Sequence, residues 1–301
     1  MLFIGVSTQG SSILKLFPIW AELLGLEAEI EGRDLPIGGS PAIYRAAVRE
    51  IDESDEVPGA LITTHKVDVF RHAGDMFAEL DENARLCREV SCISKRGGSL
   101  IGHAKDPITA GKAMERMFDR PPRDVLCLGA GGAGTAITVH LLRNPHAASR
   151  IVIIDRDQTR IEGIRTIHGD LSARSELAYL VTGSAEENDA VLAGMPERSF
   201  IINATGVGKD TPGSPVTAAA IFPRRAIVWE LNYRGELGFL RQARRQAAPR
   251  ELRTHDGWDY FLHGWTEVIA EVFSLTLTAE VFERLKAAAE PLRPIDAGPE
   301  R

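Results

Sequence analysis

The stretch DVLCLGAGGAGTAITVHLL, residues 124–142, puts a β-rich apolar run, a glycine cluster and an apolar helical run in immediate succession. Its glycines match GxGxxG at Gly129, Gly131 and Gly134. A loop without side chains lets its backbone amides and the N-terminus of the next helix receive a pyrophosphate. The stretch therefore predicts the strand, phosphate loop and helix of a dinucleotide-binding domain of Rossmann type.

A carboxylate stands where this type of domain needs one. Asp155 ends the next apolar strand, 21 residues after Gly134, where it can accept hydrogen bonds from an adenosine ribose. The alternative is a tight turn between strand and helix that only packs closely. The carboxylates of Asp155 and Asp157 would repel a 2′-phosphate, so NAD is favoured over NADP. Arg156 or Arg160 could bind that phosphate instead, which keeps NADP possible.

A later strand end supplies the remaining expected cofactor contacts. Asn203, Thr205 and Gly206 follow the apolar run FIIN, at the sheet edge where loops of a doubly wound domain line the cofactor crevice. A plain turn is the alternative. The full set of expected cofactor contacts is Gly129, Ala130, Gly131, Gly132, Ala133, Gly134, Asp155, Arg156, Asn203, Thr205 and Gly206.

Apolar bursts alternate with amphipathic stretches along the chain, which is typical of an α/β fold with a parallel sheet covered by helices. The prolines of DRPPRD (119–124) cannot continue the helix before them. We expect an α/β substrate-binding and catalytic domain at 1–106 and a Rossmann-type doubly wound parallel sheet that binds NAD(P) at 107–257. C-terminal helices at 258–301 should return to the substrate domain, and the tail PIDAGPER should be disordered.

Composition narrows the class of partner. The chain has 301 residues, 44% of them hydrophobic, and a net charge of −7, so neither nucleic acid nor an anionic membrane is expected as a partner. We expect a small-molecule substrate, a monomer or homodimer, and a cytoplasmic location, because we find neither a signal peptide nor a long apolar segment. Cys87, Cys92 and Cys127 lack metal-site spacing, so we interpret them as core thiols and expect no metal.

Hydride transfer to nicotinamide needs a group that exchanges the hydroxyl proton. Lys66 ends the run GALITTHK (59–66), and Asp106 lies in AKDPITAG (104–111) before a helical run. A nearby carboxylate would raise the pKa of Lys66, whereas burial would lower it. The alternatives are a solvated lysine at a strand end, and an Asp106 that only caps a helix with Pro107 at its first position.

In this order the motifs resemble the shikimate dehydrogenase family over nearly the whole chain. The resemblance is carried by GALITTHK, EVSC, AKDPITAG, GAGGAG, INATGVG, WELNYRGELGFL and DGWDYFLHGW. It implies an oxidoreductase that acts on a CH–OH group with NAD(P). It also implies that Lys66 and Asp106 form the catalytic pair and that Tyr233 lines a substrate cleft between the two domains.

Several positions depart from the family pattern for binding the substrate. In the family's serine pair only Ser11 is matched, because Ile13 stands at the second position. The family's asparagine is Ser91 here, and its glutamine falls on Gly264. Ala104 and Lys105 replace the asparagine and threonine before Asp106, and the lysine segment is one residue shorter. A site built to hydrogen-bond its ligand loses much from such changes, so we expect a substrate other than plain shikimate.

Candidate substrate contacts follow from this comparison. They are Ser11, Ser12, Thr63, Ser91, Tyr233 and His263, with His65, Lys105 and Trp258 as further replacements. Two alternatives stay open. One is a genuine shikimate or quinate dehydrogenase in which Ser12 takes over from the missing serine. The other is a non-catalytic regulatory protein that binds NAD.

Overall fold

A computed structural model describes residues 1–144, 148–171, 174–209 and 211–294. The tail expected to be disordered falls almost wholly outside these residues. The chain divides into two compact units, one formed by Met1–Thr109 with Leu262–Arg293 and the other by Ala110–Phe261. The chain crosses between the units at residues 109 and 261, whereas we expected the boundaries at 106 and 257. No helix of the described residues is long and apolar enough to cross a membrane.

The first unit holds a mixed six-stranded sheet. Its strands are β1 (Leu2–Gly5), β2 (Glu31–Asp34), β3 (Gly59–Ile62), β4 (Glu79–Leu80), β5 (Cys92–Arg96) and β6 (Ser99–His103), in the order β2-β1-β3-β5-β6-β4. β1 pairs in parallel with β2 and β3, and β5 forms the expected hairpin with β6. Gly97 and Gly98 make its turn with positive φ.

Five helices accompany this sheet along the chain. They are α1 (Ile13–Leu24), α2 (Pro41–Glu53), α3 (Lys66–Ala73), α4 (Glu82–Cys87) and α5 (Asp106–Met114). α1 accommodates Pro18 within its length, as the apolar pattern predicts. The last turns of α5 belong to the second unit, because the division between the units falls within this helix.

The second unit is a parallel six-stranded sheet of Rossmann type. It contains β7 (Asp124–Leu128), α6 (Gly132–Arg143), β8 (Arg150–Asp155), α7 (Gln158–Gly169), β9 (Glu176–Val181), α8 (Ala185–Ala193), β10 (Phe200–Asn203), β11 (Ile227–Glu230), α9 (Gly238–Arg250) and β12 (Arg253–His255). The strand order is β12-β11-β10-β7-β8-β9, and every pairing is parallel. This is the doubly wound order with its switch point between β7 and β10, which confirms the predicted fold class.

Three strands lack a sequence signal strong enough to predict. β9 is an edge strand whose residues are exposed or half-buried, so it shows no buried apolar run. β12 reads RTH and β4 has only two residues. Each is held by pairing with a neighbour, and that pairing is a long-range property that local sequence does not carry.

Two C-terminal helices complete the first unit. They are α10 (Trp258–Val272), which begins in the second unit, and α11 (Ala279–Ala289). The sequence predicts one long helical pattern from residue 265 with a weak interruption at SLTLT. In the structure this segment is not helical and separates α10 from α11. α11 packs on α1, where the fully buried Trp20 donates its indole N–H to the carbonyl oxygen of Leu285 at 2.9 Å.

Cys87, Cys92 and Cys127 are buried and form no disulfide in the described part of the chain, which confirms their interpretation as core thiols. Burial raises the pKa of the Cys127 thiol to about 12, so this side chain stays protonated.

Trp20→Phe should lower the free energy of unfolding of the first unit by about 1–3 kcal/mol, because the buried carbonyl of Leu285 would lose its donor. Ile19→Ala, at an exposed position of the same helix, should change it by less than about 0.5 kcal/mol. Urea unfolding followed by circular dichroism measures both. Equal midpoints for the two variants would contradict the role given to the indole bond.

Candidate active site

Lys66 is the first residue of α3, not the last residue of a strand. β3 ends at Ile62, and Thr63, Thr64 and His65 form the connection. His65 is 1% exposed, and its Nε2 lies 3.0 Å from the carbonyl oxygen of Leu35. The prediction that the lysine ends a strand is therefore wrong. Three residues separate it from β3, the last of them the buried histidine, and the lysine begins a helix.

The Lys66 ammonium bonds the Asp106 carboxylate. Nζ of Lys66 donates to Oδ2 of Asp106, and the side chains are only 19% and 12% exposed. Asp106 opens α5 and Pro107 follows it, as a helix start predicts, but the carboxylate is directed to the lysine. Two residues 40 positions apart thus form one largely buried ion pair.

Backbone hydrogen bonds fix the two members of this pair. The amide of Val90 donates to the carbonyl oxygen of Lys66 at 3.0 Å, and the amide of Ser91 donates to that of His103 at 2.8 Å. The hydroxyl of Ser91 accepts a bond from the amide of Lys105 at 2.8 Å, next to Asp106. The segment that joins α4 to β5 therefore ties the start of α3 to the start of α5.

The charge balance in this cluster favours a protonated lysine. Burial disfavours the Lys66 ammonium, but the Asp106 carboxylate, followed by Glu89, outweighs it, so the pKa of Lys66 lies above its ordinary value. The sequence leaves open which effect prevails, and in the folded chain the carboxyl groups prevail. Lys66 is thus an ammonium at neutral pH, the form that can donate a proton.

A third acid, Glu89, belongs to this cluster, and sequence reasoning missed it. It is 1% exposed, and burial, reinforced by the charge of Asp106 and opposed by Lys66, raises its pKa to about 8. The one signal in the sequence is a glutamate immediately before the apolar run VSCI, where a buried strand begins. That signal alone does not separate Glu89 from an ordinary surface acid.

The substrate candidates of the first unit divide into two groups. Ser11, Ser12 and Thr63 remain partly exposed, and the Ser12 side chain does not cap α1. Ser91 is 2% exposed and its hydroxyl accepts a hydrogen bond from the Lys105 amide, so its role as a substrate contact stays a prediction. His263 stacks on Phe282 with the ring centroids 3.9 Å apart, which makes it a packing residue between α10 and α11.

Lys105 and Trp258, the further replacement candidates, are both buried and engaged with other side chains. Lys105 is 8% exposed and donates to Glu271 of α10, which also receives Arg96. Trp258 is 1% exposed and lies in an aromatic cluster of the second unit with Phe261 and Tyr233. Tyr233 and Phe261 of that cluster stay partly exposed, and Tyr233, which carries a hydroxyl, remains the candidate from the second unit.

The glycine loop of the second unit has the shape of a phosphate cradle. Gly129 has φ +108°, and a Cβ there would lie 2.7 Å from the carbonyl carbon of Ala204. A Cβ on Gly134 would lie 2.0 Å from the carbonyl oxygen of Gly129. A Cβ on Gly131, just before α6, would have no other atom within 4 Å, so this position faces open space. The loop therefore fits a pyrophosphate at the N-terminus of α6.

Asp155 connects this loop to β8. Its Oδ2 accepts from the amide of Ala130 at 2.8 Å, and its Oδ1 accepts from the amide of Asp157 at 3.0 Å. Each oxygen keeps a further lone pair that a ribose hydroxyl could use. Arg156 beside it is exposed. The carboxylate thus shapes the loop as well as standing where a ribose would be bound.

Asn203 stabilises the loop that follows β10 through hydrogen bonds inside the protein. It is fully buried, donates to Glu230 at 2.7 Å, and accepts from the amide and hydroxyl of Thr205 at 3.1 and 2.6 Å. Burial raises the pKa of Glu230 to about 7. The Asn203 side chain is engaged with Glu230 and Thr205, and its place among the cofactor contacts stays a prediction. The partly exposed Thr205 and the exposed Gly206 remain candidates.

In the described part of the chain, His, Cys, Asp and Glu side chains form no group of three that could hold a metal ion. The two candidate functional sites are the Lys66–Asp106–Glu89 cluster of the first unit and the glycine cradle of the second. A Rossmann unit with a dinucleotide cradle, joined to an α/β unit that carries a buried lysine–aspartate pair, is the architecture of two-domain NAD(P)-dependent dehydrogenases.

Comparison with known proteins gives the family. A shikimate dehydrogenase (NADP+) of Symbiobacterium thermophilum is 31% identical over 206 residues, which cover 63% of this chain and 67% of the relative. One of Pyrococcus abyssi is 33% identical over 156 residues, or 52% of each chain. The match thus spans about half to two thirds of these relatives, and no protein-family model matches the chain. The chain belongs to the shikimate dehydrogenase family.

Solved structures show the same fold at lower identity. A shikimate dehydrogenase in complex with NADP+ aligns with a TM-score of 0.73 at 20% identity, over 97% of this chain and 94% of the other. A quinate dehydrogenase from Corynebacterium glutamicum in complex with NAD gives 0.72 at 19%, over 96% and 98%. A 5-ketofructose reductase of Gluconobacter gives 0.67 at 21%, over 94% and 95%. The predicted fold and family are confirmed.

Asp155→Asn should raise the affinity for NADPH relative to NADH by about tenfold, because it removes a negative charge from the place where a 2′-phosphate would lie. Damage to the loop would weaken both cofactors alike, so the ratio of the two dissociation constants is the quantity to measure by cofactor fluorescence. Glu176→Gln removes an exposed acid at the first residue of β9, at the opposite end of the parallel strands from Asp155, and is the matched control. An unchanged ratio in Asp155→Asn would contradict the carboxylate's role in cofactor choice.

Proposed function

We propose that this protein is an NAD(P)-dependent oxidoreductase acting on a hydroxyl-bearing carbon of a small cyclic hydroxy acid or polyol other than plain shikimate, with NAD as the favoured cofactor. The observation that carries the proposal is the buried Lys66–Asp106 ion pair. It is supported by the glycine cradle of the second unit and by the family to which the chain belongs.

Lys66 exchanges the proton in this proposal. A bound nicotinamide would supply or accept the hydride. The Lys66 ammonium donates a proton to the carbonyl oxygen that becomes a hydroxyl, and the neutral amine accepts that proton in the reverse direction. Asp106 holds the ammonium in place by a charge-assisted hydrogen bond. The raised pKa of Lys66 favours the ammonium at neutral pH, so reduction is the direction that the resting site is prepared for.

The substrate contacts support a substrate other than shikimate. Ser91 and Lys105 stand where the family has polar side chains, and both are engaged inside the protein. Gly264 offers no side chain at all. Ser11, Ser12 and Thr63 are the partly exposed hydroxyls left in the first unit. The 5-ketofructose reductase of the same fold acts, by its name, on a sugar, which supports including polyols and ketoses among the substrates to test.

A substrate panel tests the reaction. Purified protein is mixed with NAD or NADP and with shikimate, quinate, other cyclic hydroxy acids and uncharged polyols, and reduced-cofactor absorbance is followed. We expect turnover with at least one compound other than shikimate. Preference for shikimate or quinate would instead establish the genuine family activity, with Ser12 replacing the missing serine. Tight NAD binding with no turnover across the panel would identify a non-catalytic regulatory protein.

Lys66→Met should lower kcat by at least about a hundredfold, the usual contribution of a general acid or base, while the cofactor dissociation constant changes little. Lys286→Met, which removes a lysine from α11 of the same unit, is the matched control and should keep full turnover. Steady-state kinetics and cofactor fluorescence give the two readouts. Turnover that survives in Lys66→Met would refute the assignment.

A further inference from the structure

Glu89 is a buried acid that packing alone does not explain. It lies between α4 and β5, is 1% exposed, and its Oε1 has no hydrogen-bond partner in the described part of the chain. Glutamate is rarely buried so completely without a partner, because the loss of its hydration is costly. An apolar residue would fill the same position at a lower desolvation cost, which indicates that the carboxyl group has a functional role.

The backbone around Glu89 is bonded to both members of the ion pair. The amide of the next residue, Val90, donates to the carbonyl oxygen of Lys66. The hydroxyl of Ser91 accepts from the amide of Lys105, the residue before Asp106. The segment is therefore fixed relative to Lys66 and Asp106, and the Glu89 carboxyl acts on the charges of both.

We propose that Glu89 is a positioning residue that sets the protonation state of Lys66, and thereby the pH range in which Lys66 exchanges a proton with the substrate. The catalytic part of this proposal rests on the proposed function. No other titratable group has to be invoked: Asp106, Glu89 and the buried Cys87 thiol act on Lys66, and Asp106 and Lys66 act on Glu89.

The sign of the effect follows from counting charges. When Glu89 is protonated, one ammonium faces one carboxylate, Asp106. When Glu89 loses its proton, one ammonium faces two carboxylates in a poorly solvated place, and Lys66 holds its proton more tightly. Because the pKa of Glu89 is raised to about 8, the second charge appears in mildly alkaline solution. Glu89 then delays the loss of the Lys66 proton as the pH rises further.

Chemical labelling measures this without any turnover. Acetic anhydride reacts only with the neutral amine, so the pH dependence of Lys66 acetylation, read by mass spectrometry against the exposed Lys15, reports the pKa of Lys66. In Glu89→Gln the curve should move to lower pH by about one unit, which makes Lys66 about tenfold more reactive on the rising part of the curve. Glu50→Gln, which removes the partner of Arg33 at the surface of α2, should leave it in place.

Glu89→Met serves as a second variant. It removes the charge and keeps a similar volume, and the loss of a buried carboxyl whose Oε1 has no hydrogen-bond partner in the described residues should not impair folding. Both variants should shift the labelling curve in the same direction, whereas a purely structural role for Glu89 would leave Lys66 unchanged. Labelling curves of both variants that superimpose on that of the unchanged protein would overturn the proposal.

The pH dependence of turnover provides the catalytic readout. With any substrate found in the panel, the alkaline limb of the reduction profile should move to lower pH in Glu89→Gln, with KM nearly unchanged. A labelling curve that moves while the reduction profile does not would overturn the catalytic role. If the panel yields no substrate, the proposed function fails, and the labelling curve still decides whether Glu89 controls the charge of Lys66.

Discussion

The buried ion pair between Lys66 and Asp106 imposes its geometry on the first unit. A side chain only 19% exposed cannot keep an ammonium charge unless a carboxylate is held against it, because desolvation of an unpaired charge is severe. The partner comes from another helix start 40 residues away, so the two helix starts have to be fixed to each other. The segment between α4 and β5 does this through its bonds to Lys66 and to Lys105. The middle of the sheet, where β3 pairs with β5 and β5 with β6, gives that segment its place.

In the second unit the candidate site depends on backbone amides and not on charged side chains. An anion at the start of α6 needs free amides and an absence of side chains, and the glycine loop supplies both. The loop is held by the end of β8, since Asp155 accepts from the amide of Ala130 and the carbonyl oxygen of Ile154 accepts from the amide of Gly129 at 2.7 Å. Asn203 and Glu230 brace the neighbouring loop in the same manner. Polar side chains at these strand ends thus hydrogen-bond within the protein and stabilise the loops, and only their remaining lone pairs are available to a ligand.

How much of this could be predicted depends on whether the signal is local. GAGGAG and the apolar strands β7, β8 and β10 are local patterns, and they predicted a doubly wound parallel sheet of Rossmann type. Residue type alone offered Lys66 and Asp106 as one possible pair, and the order of the family motifs strengthened that pairing, because no spacing rule joins residues 40 apart. β9 and β12 owe their existence to strand pairing. Glu89 and Glu271 are single acids in unremarkable contexts, and only burial among distant charges gives them a role.

The same limit explains why motif positions are poor guides to the substrate. Ser91 and Lys105 occupy positions that bind the substrate in the family, and they remain polar, which suggested replacement contacts. In the folded chain Lys105 is paired with Glu271, and Ser91 accepts the amide of Lys105. A polar side chain at a binding position is available to a ligand only if the protein leaves it unsatisfied, and Glu271 lies on α10, more than 160 residues along the chain. A partner on α10 thus helps to decide which polar side chains at these positions are available to a ligand, and the catalytic motifs do not include that partner.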